Sequence, residues 1–127
     1  MATILVVDDY IVTLRVLSAQ LRKGGYEVIT AASGQVALEK LQEQPFDLAI
    51  VDIAMPDMDG ISLLVQLRSQ TQYKDLPVIM LTASVLDDDR MRALREGATA
   101  FLTKPISSWE LLDVVKQQLG EVALSKG

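Results

Sequence analysis

"FDLAIVDIAMPDMDG", residues 46–60, is an apolar run that stops on an acid and passes at once into turn chemistry. "TILVVDD", residues 3–9, does the same near the start of the chain. Short apolar runs rich in β-branched residues and bounded by turn formers read as buried strands. Two buried strands that each end in carboxylates need a reason. The proline, second acid and glycine at Pro56, Asp59 and Gly60 sharpen that need.

Working outward, three more apolar runs complete a set of five: "YEVIT" at 26–30, "PVIML" at 77–81 and "AFL" at 100–102 join "ILVV" at 4–7 and "LAIV" at 48–51. Three are nearly continuous, as strands covered on both faces should be. The run at 26–30, with Glu27 and Thr30 interleaved, reads as closer to an edge. Between the runs, Leu14/Leu17/Leu21, Ala37/Leu38/Leu41, Leu63/Leu64/Leu67, Met91/Leu94/Ala98 and Leu112/Val115/Leu119 recur at helical spacing. Gly24-Gly25 and Gly97 read as helix ends, while Ser33 and Ser107 or Ser108 read as N-caps. Five strand–helix units with short connections force parallel pairing and right-handed crossovers. The expected solution is an α/β domain with an open parallel sheet and helices on both faces.

At 127 residues the chain suits one domain, with a core over 3–120 and a thin tail at 121–127 that reads as a frayed end or the start of a linker. A formal charge of −5 disfavours a nucleic-acid surface. The absence of cysteine and histidine removes disulfides, thiol chemistry, the commonest zinc ligand and the commonest general base. The first apolar run is too short for a signal-peptide core, and no run approaches a bilayer span. A cytoplasmic location with no membrane partner is the expectation.

In an open parallel sheet the carboxyl ends of the strands line one edge, and ligands bind in the crevice outside it. Asp8 and Asp9 end the first run, Asp52 ends the third, Thr82 the fourth, and Lys104 follows the fifth. Three carboxylates on one rim repel one another, so one takes up a proton or a counter-charge arrives. Mg²⁺, with Mn²⁺ as a substitute, accepts oxygen ligands and keeps several waters; no EF-hand loop points to calcium. Asp9 and Asp52 would bind directly, Asp8 directly or through water, and a carbonyl just past Asp52 could complete the protein's share. Open coordination positions, Lys104 and Thr82 then suit the oxygens of a phosphoryl group, and Asp52 is the candidate nucleophile. Singly, each group has a plainer reading. Asp8 or Asp9 could cap a helix beginning near Tyr10, Lys104 could be a solvated lysine, and "PDMDG" could be a turn in which Gly60 takes dihedrals other residues resist. Their coincidence on one edge favours the site.

With the pair Asp8-Asp9, Asp52 before "MPDMDG", Thr82 within "LTA" and Lys104-Pro105, the sequence resembles the receiver domain of two-component response regulators over residues 3–120. The resemblance implies a flavodoxin-like (βα)5 doubly wound sheet of order 2-1-3-4-5. It also implies phosphoryl transfer to Asp52 from a sensor histidine kinase or histidine phosphotransfer protein, and a metal held by Asp9, Asp52 and the Ala54 carbonyl, with Asp8 supporting through water. It further implies a cis Lys104-Pro105 bond, a switch through Thr82 and Phe101, and a partner face on the fourth helix, fifth strand and fifth helix. Catalysis beyond its own phosphorylation and dephosphorylation is not expected.

Tyr10 and Ile11 depart from the family pattern, where an acid and a proline are common, and neither removes a ligand. Ala54 and Ser84 are both small, offering no carboxylate or amide to orient a hydrolytic water. Phe101 lacks a tyrosine's hydroxyl and reads either as a switch or as core. The mixed-charge run at 87–95, with Arg90, Arg92 and Arg95, reads as a solvated face or, with Trp109, as a homodimer surface. The alternatives are a receiver cut from a chain with a DNA-binding or enzymatic output, a phosphate-independent binding module, or a phosphatase. The last conflicts with Ala54, where a general acid would stand.

Overall fold

The computed structural model describes residues 1–83 and 87–120; Ser84 and the tail at 121–127 lie outside the described residues. Five strands, β1 (Thr3–Val7), β2 (Glu27–Ala31), β3 (Leu48–Asp52), β4 (Val78–Thr82) and β5 (Ala100–Thr103), alternate with α1 (Ile11–Lys23), α2 (Gly34–Glu43), α3 (Gly60–Arg68), α4 (Asp87–Arg95) and α5 (Ser108–Leu119). All pairings are parallel and the order is β2-β1-β3-β4-β5. This is the flavodoxin-like (βα)5 sheet of order 2-1-3-4-5. Among the described residues no helix is long and apolar enough to cross a membrane.

Strand periodicity builds two cores from one apolar run. Leu5 and Val7 join Val51, Met80 and residues of α2 and α3 on one face; Ile4 and Val6 join Ile50, Leu81 and residues of α1 and α5 on the other. Every residue of β3 and β4 is buried, whereas β2 and β5 are partly open, as edge strands are. Ser33 and Ser107 cap α2 and α5, accepting the N–H groups of Val36 and Glu110.

Three details of the sequence reading are corrected. The α1 N-cap is Tyr10, with no side-chain cap; Asp8 instead accepts the Tyr10 N–H at 2.9 Å from just outside the helix. In α4 the packed residue is Ala93, fully buried, while Met91 and Leu94 are 55% and 53% exposed. A small residue lets that helix lie close to the sheet, and the larger ones turn outward. In α5 the stripe of Leu112, Val115 and Leu119 packs on the core as read, joined by the fully buried Leu111. Gly60 does not serve a left-handed turn: that conformation falls on Asp57, with φ of 67°. Gly60 is the first residue of α3, and a methyl group there would run into the backbone carbonyl of Asp52. Asp59 caps the same helix through the Ser62 N–H at 2.8 Å. Arg68, at the end of α3, donates to the carbonyls of Tyr73 and Gly97 and ties the return of the chain into β5.

Because backbone and not a flexible side chain faces that missing methyl, G60A is expected to lower the unfolding free energy by about 1–3 kcal/mol, read by urea denaturation.

Candidate functional site

Strand register assembles the site. Val7 pairs with Val51, so Asp8 and Asp52 leave neighbouring strands side by side. Asp52 pairs with Leu81, placing Thr82 one step beyond, and Thr82 pairs with Thr103, after which the chain reaches Lys104. The Lys104 N–H closes this edge on the Thr82 carbonyl at 2.8 Å. These ends meet where the sheet order reverses around β1 and β3, the crevice in which open α/β sheets bind ligands.

Carboxylate oxygens of Asp8, Asp9 and Asp52 all lie within 4.8 Å of one another. Asp8 and Asp52 are buried and Asp9 is exposed. Two deep acids with a third at the mouth form a pocket for a hard divalent cation, with open positions toward solvent. Lys104 lies 2.8 Å from Asp8 and 3.5 Å from Asp52, and the Lys104-Pro105 bond is cis. The cleft holds about 360 Å³ and is also lined by Tyr10, Ile53, Ala54, Thr82, Ala83 and Asp89. All five rim groups named from the sequence thus come together.

Burial, and then the charge of Asp8, pushes the Asp52 carboxyl up to about 6. Lys104 and the backbone N–H of Ala54 pull the other way without cancelling that rise. Burial also opposes the charge on Lys104. Its hydrogen bond to Asp8 and the charges of Asp52 and Asp8 outweigh burial and leave its pKa above the usual lysine value. One lysine therefore leaves the three acids short of positive charge, and a divalent cation makes up the difference.

Asp89 was missed as a residue of the cleft. It stands in the run "DDDR" at a helix start, where acids are common simply because they suit the dipole, so spacing alone gave no signal. Phe101 is half-buried at the edge of the core, with the Arg90 guanidinium over its ring, 5.0 Å from the centroid. Arg92, Arg95 and Trp109 are exposed and converge on no part of the cleft.

In the absence of divalent cations the Asp52 charge costs stability as pH rises. A raised pKa stabilises the fold below the unfolded value, near 3.8, and that contribution is lost as pH climbs through about 6. D52N is therefore expected to be more stable than wild type at about pH 7 by on the order of 1–3 kcal/mol. The gap should narrow as pH falls through about 6 and close only near the unfolded value, 3.8, and Mg²⁺ should raise the melting temperature of wild type alone, as thermal melts would show.

The family model described as "Response regulator receiver domain" matches residues 4–116. The chain is 39% identical to the chemotaxis protein CheY4 of Vibrio cholerae, with a TM-score of 0.91 over 94% of this chain and 99% of that one. It is 34% identical to the receiver domain of sensor histidine kinase PA1611 from Pseudomonas aeruginosa, whose structure has magnesium coordinated in the active-site cleft. There the TM-score is 0.87 over 94% and 98% of the two chains. The transcriptional regulatory protein ZraR of Klebsiella oxytoca is 40% identical over 97% of this chain and 27% of its own length. The chain spans about half or less of the curated relatives it matches.

Proposed function

This chain belongs to the response regulator receiver domain family, and from that premise we propose that it accepts a phosphoryl group on Asp52 from a histidine of a partner kinase or phosphotransfer protein. The observation that carries this reading is the buried Asp52 beside Asp8, with the Lys104 ammonium 3.5 Å away and the cleft open above it. A carboxylate oxygen of Asp52 attacks phosphorus as the bond to the donor imidazole nitrogen breaks, and the carboxylate becomes an acyl phosphate. Lys104 and the Thr82 hydroxyl hold the equatorial oxygens; Asp9, Asp52 and the Ala54 carbonyl would hold Mg²⁺, with Asp8 supporting through water, and the ion would supply charge neutralisation there. Water later displaces the carboxylate and releases inorganic phosphate.

The new group adds roughly −1.5 to −2 charges at one point. Moving an active form from about 1% to near-full occupancy requires roughly 5.5 kcal/mol of differential interaction. New charge-assisted bonds to Thr82 and Lys104 supply part of it. Drawing Thr82 inward opens room for Phe101, and the face of α4, β5 and α5 changes its preference for a target protein or output domain. Exposed Met91, Leu94 and Trp109 among Arg92 and Arg95 suit that role, and a homodimer through the same face is a further reading. A cytoplasmic setting, where the phosphodonor would be met, goes with this proposal.

Incubation with Mg²⁺ and a small acyl phosphate, followed by intact-mass measurement, tests it. Wild type should gain one phosphoryl mass and D52A none. K104A is expected to label more slowly by roughly 10²-fold, the scale of losing one preorganised charge at the transferring group. Equal labelling of D52A would overturn the assignment.

A further inference from the structure

The first turn of α4 touches two places at once. Asp89 lines the acidic cleft, and the next residue, Arg90, lies over the face of Phe101. Among the described residues no salt bridge engages either side chain. With a divalent cation bound, Asp8, Asp9, Asp52 and Lys104 sum to no net charge, and Asp89 leaves the cleft one unit negative. Replacing the Asp52 carboxylate charge with the larger charge of an acyl phosphate raises the repulsion on Asp89. Asp89 has no ligand role in the cluster around Asp52, so it can move without releasing the cation.

From this geometry we infer that Asp89 is a positioning residue that senses the phosphoryl charge, and that Arg90 is the latch it controls. This rests on the acceptor role of Asp52 proposed above. In the resting protein the Arg90 guanidinium holds Phe101 through a cation–π contact. Arrival of the phosphoryl drives Asp89 out of the cleft, shifts the first turn of α4 and withdraws Arg90, which frees the Phe101 ring to repack. Coupling to the output face thus has a repulsive arm from α4 beside the attractive arm through Thr82. The two arms meet at Phe101.

Phe46 and Phe101 are the only phenylalanines, so ¹⁹F NMR of fluorophenylalanine-labelled protein yields two resonances, assigned with F101L. Wild type, D89N and R90Q would be followed with Mg²⁺ alone and with Mg²⁺ plus saturating beryllofluoride, a phosphoryl mimic, with far-UV circular dichroism to confirm the fold. In wild type the Phe101 resonance should move with beryllofluoride. D89N should bind beryllofluoride more tightly yet switch less completely, its conformational equilibrium in the loaded state reduced about three- to tenfold. R90Q should shift the resting resonance toward the loaded position, by about two- to fivefold in the same equilibrium. A loaded D89N that switches as fully as wild type overturns the sensing step, and an unmoved resting resonance in R90Q overturns the latch. Wild type that neither binds beryllofluoride nor takes label from an acyl phosphate overturns the acceptor reading itself and the inference with it.

Discussion

Mutual repulsion among three carboxylates at one sheet edge is the constraint around which the rest of the molecule is arranged. Asp8 and Asp52 emerge from adjacent parallel strands with no room to separate, because their neighbours Val7 and Val51 are locked in register. Burial of Asp52, reinforced by the charge of Asp8, pushes its carboxyl up to about 6. Lys104 offsets part of it from the far side of the sheet edge. The remainder makes the pocket attractive to a cation and, once the cation is bound, to a phosphoryl group.

The surrounding fold keeps that arrangement rigid. The two cores clamp β1 and β3 from both faces, so the acids stand on strands that cannot relax apart. Behind Asp52, Gly60 lets the start of α3 approach the backbone of the acceptor residue more closely than any side chain would permit. In α4 the buried apolar residue is Ala93, while Met91 and Leu94 face outward and Arg90 lies over Phe101 of β5. The reactive edge is thus packed from both faces where groups must be held, and the helix beside it leaves its larger apolar residues exposed.

Much of this was legible in the sequence, for reasons that can be named. A parallel sheet is buried on both faces, so β1, β3 and β4 were plain as uninterrupted apolar runs, and any polar residue at their ends had to fall on one edge. That rule alone brought Asp8, Asp9, Asp52, Thr82 and Lys104 together. What escaped notice depended on direction and distance, which periodicity does not carry. The α4 stripe was misread because Ala93 packs as well as a larger residue does when a helix lies close. Asp89 was hidden among acids that suit any helix start. The role of Gly60 followed from the path of a distant carbonyl, and the hold of Arg68 on Gly97 from a contact 29 residues away in sequence.

Carboxyl titration by ¹³C NMR, without divalent cations and with saturating Mg²⁺, tests the central claim most directly. The account requires one aspartate, lost in D52N, to titrate near 6 in metal-free protein and to fall below the ordinary carboxylate range when Mg²⁺ is bound. If every aspartate titrates near the model-peptide value with and without the cation, the rim is not an electrostatically frustrated pocket, and this account of the site is wrong.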